Sequence, residues 1–213
     1  MRVNYWFDKA VVLSQPNRTD RRKQFQKEAE SIKLEYEFFD SIPSDDPKDS
    51  FNKSHLAILK RLAESDVDST YLVLEDDCVF QNMITLDSIM VQVWDMYDDT
   101  ENPFDIMYWG ANLKPYPDFI PPIKVSDNIY RLFSAYTTHA VMYRYQIAQR
   151  IIHEYNGQMF DAFLDEHILR TSKSYICSPF LAVQRPSHSD LWNRNVDYTD
   201  TFKASEEYLK SIE

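Results

Sequence analysis

Residues 71–77 read YLVLEDD, an apolar run that passes directly into three consecutive carboxylates. Its first four residues are branched or aromatic, which is typical of a central strand buried on both faces. In open α/β sheets, ligands bind beyond the carboxyl ends of the strands, and Glu75, Asp76 and Asp77 fall at that place. Like charges so close together need a cation or hydrogen bonds to compensate them. The run therefore predicts a buried strand that ends in a divalent cation site, while a solvated acidic turn remains the alternative.

Strand and helix patterns alternate on both sides of this run, which predicts a layered α/β sheet with mainly parallel strands. Two shorter strands are expected to be antiparallel, at 129–133 and 140–143. The proline-rich stretch 111–128 has no regular period, which is typical of a functional loop. The other predicted strands are 10–13, 36–39, 71–74, 106–109, 175–177 and 180–184. Helices are predicted around Phe25, Ala29 and Ile32, around Leu56, Leu59 and Ala63, and at 86–94, 145–155, 160–169 and 202–212.

The composition excludes several other classes of protein. The 213 residues include only two glycines, so the chain can form neither a P-loop nor a G-x-G-x-x-G dinucleotide turn. Cys78 and Cys177 are too few for a disulfide framework or a four-cysteine zinc site, so we expect free thiols in a reducing compartment. A net charge of -11 opposes broad binding to nucleic acid, so none is expected as a partner. Any anionic ligand must then be met by a metal ion or by a few arginines.

No part of the sequence has the character of a membrane span. There is no run of about 18 apolar residues, and the start lacks the apolar stretch of a signal peptide. We therefore expect a cytoplasmic protein without a transmembrane segment. Neither a repeat nor a linker interrupts the chain, so we expect a single domain over 1–213, with a lead segment at 1–8 and a C-terminal tail helix at 196–213.

A series of short motifs resembles the ordered landmarks of glycosyltransferase family 25, which contains lipooligosaccharide and collagen galactosyltransferases. The resemblance extends over about residues 9–192, and the order of the motifs is more specific than any one of them. The chain departs from the family where Thr137, Thr138 and His139 replace small residues. The motifs are LSQPNRTDRRKQF (13–25), FFDSI (38–42), SHLAIL (54–59), YLVLEDDCVF (71–80), DIMYWG (105–110), AYTTHAVMYR (135–144), FDAFLDEHI (160–168) and SPFLAVQRPSHSDL (178–191).

The resemblance implies a GT-A type domain that transfers galactose or glucose from a UDP-sugar, with inversion and with Mn²⁺ or Mg²⁺. The acceptor would be a glycan, a lipid-linked saccharide or hydroxylysine. Asp77 and Glu75 would hold the metal against the diphosphate, since oxygen ligands suit these ions. GT-A enzymes often complete the site from a late strand or loop, for which His188 and Asp190 are the candidates.

Inversion also needs a base that takes the proton of the acceptor hydroxyl. Asp165 matches the late acidic position of the family, with Glu166 in reserve, although either could be a plain charge on a helix surface.

The same resemblance implies a nucleotide-sugar site at the ends of the first strands. His55 could contact the ligand or serve as a structural residue, and Trp109 and Trp192 could stack on the ligand or, for Trp109, pack in the core. The remaining candidates are Leu13, Ser14, Arg18 and Arg21 after the first strand, Asp40 after the second, Glu75 and Asp76, and Gly110.

Two alternatives remain at this level. One is a catalytically idle module of the same fold that binds a nucleotide sugar or a glycan. The other is a different metal-dependent transferase such as a nucleotidyltransferase, which the absence of a glycine-rich phosphate loop disfavours.

Overall fold

A computed structural model describes residues 3–95, 104–113 and 119–212. In these residues the chain forms twelve strands and six α-helices. The strands are β1 (Lys9–Ser14), β2 (Glu37–Asp40), β3 (Thr70–Glu75), β4 (Cys78–Phe80), β5 (Ile106–Tyr108), β6 (Ile123–Lys124), β7 (Ile129–Arg131), β8 (Ala140–Arg144), β9 (Ser174–Cys177), β10 (Ala182–Gln184), β11 (Ser187–Ser189) and β12 (Arg194–Val196). The helices are α1 (Thr19–Ile32), α2 (Pro47–Ala63), α3 (Leu86–Asp95), α4 (Tyr145–Glu154), α5 (Phe160–Phe163) and α6 (Thr199–Lys210).

The main sheet of the described residues has eight strands in the order β2-β1-β3-β8-β5-β9-β7-β6. β1 is parallel to both β2 and β3, and β5 is parallel to β9. β8 and β7 run against their neighbours, as the sequence predicts for these two segments. The predicted α/β class, with a mainly parallel sheet and a small antiparallel part, is confirmed.

The two faces of this sheet are covered by different helices because side chains alternate along each strand. Val11 and Val73 point to one face, where α2, α4, α5 and α6 pack. Val12 and Leu74, their neighbours in sequence, point to the other face and pack with α1 and α3. The central strands are therefore buried on both sides, which explains why residues 71–74 are apolar throughout.

The strand order creates a crevice at the carboxyl ends of β1 and β3. From β1 the chain passes through α1 to β2 on one side, and then through α2, across the other face, to β3 on the far side of β1. In doubly wound sheets such a reversal of direction marks the position of the ligand site. Ser14 ends β1 and Glu75 ends β3, so the fold places the acidic run, residues 75–77, at this point.

Several predicted elements differ from the observed ones. The predicted strand at 180–184 is shorter, because β10 begins at Ala182, and β4, β6, β11 and β12 were not predicted. The predicted helix at 160–169 is a short α5 followed by a π-helical turn at Leu164–Ile168. The proline-rich stretch 111–128 contains β6, and its residues 114–118 lie outside the described residues.

The lead and tail segments are parts of the fold rather than appendages. Val3 and Phe7 are buried in the core beside α1 and α3, and Phe202 and Leu209 of α6 are buried in the other core. Cys78 and Cys177 are both buried and unpaired. Among the described residues, none of the helices combines the length and the apolar composition that a membrane span requires.

Candidate active site

A cavity of about 530 Å³ opens at the carboxyl ends of β1 and β3. Its floor includes Leu13, Ser14 and the acidic run, which the sequence places at a ligand site. Most of the remaining wall comes from loops and helix starts, which is where α/β folds carry their binding residues. The other residues that line it are Gln15, Pro16, Asn17, Arg21, Ser41, Pro43, Ser44, Pro47, Ser50, Phe51, Ser54, Thr137, Thr138, Asp161, Gln184, Ser189, Asp190, Leu191, Trp192, Val196 and Tyr198.

Asp76 is the residue of the acidic run whose two carboxylate oxygens both accept hydrogen bonds. Its Oδ2 accepts a hydrogen bond from Ser14 Oγ at 2.6 Å, and its Oδ1 accepts one from the Arg21 guanidinium at 2.9 Å. Asp76 is buried, so these two partners provide the compensation that a buried carboxylate requires. Asp76 therefore ties β3 to β1 and α1, and shapes the floor of the cavity.

Asp77 and Glu75 are compensated less completely. Asp77 Oδ2 accepts a hydrogen bond from Gln184 Nε2 at 3.1 Å, and Arg21 lies 3.5 Å from it. Asp77 Oδ1 is buried and accepts no hydrogen bond from the described residues. Glu75 Oε1 accepts a hydrogen bond from Thr138 Oγ1 at 2.8 Å. Burial, and then the neighbouring carboxylates, raise the pKa of Glu75, and burial raises the pKa of Asp77 against the opposing charge of Arg21.

This arrangement fits a hard divalent cation that takes only part of its shell from the protein. The unpartnered Asp77 Oδ1 is a free oxygen donor, and Mn²⁺ and Mg²⁺ prefer oxygen. In the described ranges no group of three His, Cys, Asp or Glu side chains is arranged to hold a metal ion, so these residues do not by themselves present a complete ligand set. Mg²⁺ commonly binds through one or two carboxylates plus phosphates of a substrate. Asp77, with Glu75, is the pair that would hold such an ion together with a phosphorylated ligand.

The structure does not bring His188 and Asp190 into one ligand set with Asp77. The His188 imidazole is about half exposed, and it is the His188 carbonyl that accepts a hydrogen bond from Arg21, at 2.8 Å. Asp190 lines the cavity, but its Oδ2 is bonded to the Arg18 guanidinium at 2.6 Å. Both residues belong to the hairpin region of β11 and β12, which forms one wall. Arg18 and Arg21 thus attach that wall to α1, and Arg18 itself does not line the cavity.

The acid of the FDAFLDEHI motif that faces the cavity is Asp161, not the predicted Asp165. Asp165 is buried, and its Oδ1 accepts a hydrogen bond from the backbone N–H of Ala135 at 2.9 Å, which holds the chain between β7 and β8. Glu166 is exposed and accepts a hydrogen bond from Gln158. Neither of them lines the cavity, whereas Asp161 does. The reason is the π-helical turn that begins at Leu164, which ends the regular helix before Asp165.

Asp161 is placed by contacts at the start of α5. Asn52 of α2 is buried, and its side chain accepts a hydrogen bond from Phe160 N at 2.9 Å and donates one to Gln158 O at 3.0 Å. These two bonds anchor the segment that carries Asp161. Burial raises the pKa of the Asp161 carboxyl above its ordinary value.

Tyr198, just before α6, lines the cavity together with both groups of acids. Its pKa is raised first by burial and also by the charges of Asp161, Glu75 and Asp77. Asp161, Tyr198 and the acidic run all line this cavity, so the two groups of acids face a common volume.

Three of the candidate ligand residues do not line the cavity. Trp109 is fully buried, where its indole N–H contacts Met142 Sδ at 3.2 Å, so the core-packing alternative holds. Gly110 is buried against β10, and an added Cβ would collide with the Ala182 carbonyl oxygen. His55 does not line the cavity; its ring lies between Phe51 and Phe160, with centroids 4.5 and 4.9 Å away.

Two other predictions concern the rim. Asp40 is exposed and ion-paired with Arg22, and it does not line the cavity, although the adjacent Ser41 does. Trp192 lines the cavity with its side chain about half exposed, and Lys48 Nζ lies 5.4 Å from its ring centroid. Trp192 therefore remains available for stacking on a ligand.

From the sequence, no contact with a ligand was expected for Asp161, Thr137, Gln184 or Tyr198. Asp161 had a readable signal, because it precedes Asp165 by four residues and so shares its face in a regular helix. Gln184 and Tyr198 come from segments far apart in the chain, and only the fold brings them to the acidic run.

No protein-family model matches this sequence, so the likeness to glycosyltransferase family 25 stays at the level of short motifs. No curated protein matches it either. Among solved structures, the chain is similar to A197 from STIV, with a TM-score of 0.49 and 12% identity over 88% of this chain and 91% of that one. It is also similar to a glycosyltransferase involved in the glycosylation of the major capsid of PBCV-1, with a TM-score of 0.42 and 10% identity over 80% of this chain and 93% of that one.

Proposed function

We propose that this protein is a metal-dependent glycosyltransferase of the GT-A type that moves galactose or glucose from a UDP-sugar, with inversion, to a hydroxylated acceptor. The acceptor would be a glycan, a lipid-linked saccharide or hydroxylysine. The observation that carries the proposal is the shared cavity, in which an undercompensated acidic pair and a separate carboxylate, Asp161, face a common volume. Transfer from a nucleotide sugar needs both: a place for the diphosphate and a base for the acceptor.

The donor would lie over the ends of β1 and β3. Asp77 and Glu75 would hold Mn²⁺ or Mg²⁺, and the bound ion would supply a positive charge that offsets the charge developing on the leaving diphosphate. Arg21, which already lies against Asp76 and Asp77, brings a second positive charge to the same wall. Leu13, Ser14 and Ser41 line the part of the cavity beside these groups, where the nucleoside would bind.

Asp161 would act on the acceptor. Its carboxylate takes the proton of the acceptor hydroxyl while that oxygen bonds to the anomeric carbon. On the opposite face the bond from the anomeric carbon to the diphosphate breaks, and UDP leaves with the electron pair. A carboxylate whose pKa is raised by burial is a better base near neutral pH than an exposed one.

The first expected result is a cooperative effect of metal and nucleotide on stability. With Mn²⁺ and UDP together, we expect Tm to rise by about 5 °C more than the sum of the two separate shifts, since each completes the other's site. Differential scanning fluorimetry checks this, and UMP with Mn²⁺ is the matched control because it lacks the second phosphate. Strictly additive shifts with UDP would contradict a shared site.

A further inference from the structure

Thr137 has a backbone conformation that a β-branched residue rarely adopts. Its φ is 74°, in the left-handed region, where the branched side chain crowds the backbone. Such conformations persist only where the surrounding structure enforces them, and they cluster at ligand sites.

The turn is held on both sides of Thr137. On one side, Tyr136 and Asn112 exchange two backbone hydrogen bonds, each 3.0 Å long. On the other side, Thr138 Oγ1 donates to Glu75 Oε1 at 2.8 Å, and the His139 carbonyl accepts a hydrogen bond from Glu75 N at 3.0 Å. Thr137 is therefore fixed relative to the acidic run through its two neighbours.

Thr137 belongs to the cavity wall, and its hydroxyl has an unmet hydrogen bond. Thr137 lines the cavity, and its Oγ1 is buried with no partner among the described residues. Leaving a buried hydroxyl unpaired is unfavourable, and so is the backbone conformation. The adjacent Thr138 hydroxyl is satisfied, so the unmet bond is specific to Thr137.

We propose that the Thr137 hydroxyl binds a hydroxyl group of the hexose that is transferred, and so takes part in choosing the donor sugar. This inference rests on the proposed function. Thr137 adjoins Thr138, whose hydroxyl binds Glu75, whereas Arg21, the one cationic side chain among the described residues that line the cavity, is ion-paired with Asp76 and Asp77. A neutral sugar hydroxyl can both donate to and accept from a threonine. The diphosphate belongs beside Arg21, and the sugar beside Thr137.

The test compares UDP with UDP-galactose and UDP-glucose in calorimetric titrations in the presence of Mn²⁺. In Thr137→Val, which keeps the branched shape and loses the hydroxyl, the affinity for the UDP-hexose that binds the wild type should fall about tenfold. The affinity for UDP should stay within about twofold, since UDP lacks the hexose. Thr137→Ser, which keeps the hydroxyl, should retain most of the UDP-hexose affinity.

A further variant distinguishes a loss of binding from a loss of stability. Thr137→Gly removes the hydroxyl and also relieves the unfavourable φ, so it should raise Tm and yet lose UDP-hexose affinity as Thr137→Val does. Unchanged UDP-hexose affinity in both variants would overturn the role of Thr137 while leaving the donor site intact. A wild-type protein that binds no UDP would reject the donor site itself, and this inference with it.

Discussion

Asp77→Asn should reduce turnover of the donor at least about 100-fold while Tm stays at or above the wild-type value. The loss follows because Asp77 is the carboxylate whose Oδ1 has no hydrogen-bond partner and is proposed to bind the metal. Without its charge, the metal and the diphosphate would bind weakly. The fold should survive because Asp77 is one of three acids crowded at the end of β3, and removing one charge relieves repulsion without opening a cavity. UDP release from a UDP-hexose and a thermal melt check the two parts.

The matched control for that variant is Asp66→Asn. Asp66 is exposed in the loop that leads into β3, at the opposite end of the strand from the cavity. The same change of charge there should leave turnover within about twofold of wild type. Full turnover in Asp77→Asn at saturating Mn²⁺ would contradict the metal assignment.

Asp161→Asn should keep the affinity for UDP and UDP-hexose within about twofold and lower transfer to an acceptor by about 100-fold to 10,000-fold. The reason is that its carboxylate acts only when the acceptor hydroxyl loses its proton. The rate of transfer in the wild type should also fall on acidification, as pH drops through the raised pKa of Asp161, because the protonated acid cannot accept a proton.

Asp165→Asn separates this account from the prediction made from the sequence. Asp165 accepts a backbone hydrogen bond from Ala135, so its asparagine variant should be less stable than the wild type. The rate of transfer should fall less than about tenfold. An inactive Asp165→Asn beside an active Asp161→Asn would return the base to the residue that the family resemblance favours.

The parts of the fold that could be predicted from the sequence are those in which local pattern and burial agree. Residues 71–77 show this, because a strand buried on both faces is apolar throughout and its end is marked by charge. β4, β11 and β12 escaped prediction because they have three residues each and pair only with one another or with β10. β5 and β7 are as short, but their residues are mostly apolar and buried, whereas β11 (SHS) and β12 (RNV) show neither an apolar run nor a period of two.

The candidate site was predictable where it follows the ends of strands and not where it depends on tertiary placement. Ser14, Arg21, Glu75, Asp76 and Asp77 line the cavity as the order of strands requires. The sequence predicts Asp165 as the base, whereas the acid of this motif that lines the cavity lies four residues earlier, because a π-helical turn cannot be recognised in the letters FDAFLDEH. Trp109 could have been a stacking residue or a core residue, and only its burial decided between them.

The most direct test of the central claim is UDP release by the purified wild-type protein from UDP-galactose, UDP-glucose and their N-acetyl forms, with and without Mn²⁺. We expect release from UDP-galactose or UDP-glucose, dependent on Mn²⁺ or Mg²⁺, abolished by chelation and accelerated by a saccharide acceptor. Tight binding of a UDP-hexose without release, under any metal and with any acceptor, would instead identify a binding module that has kept the cavity without the chemistry. If the protein neither bound a UDP-sugar nor released UDP from one, that result would contradict the account as a whole.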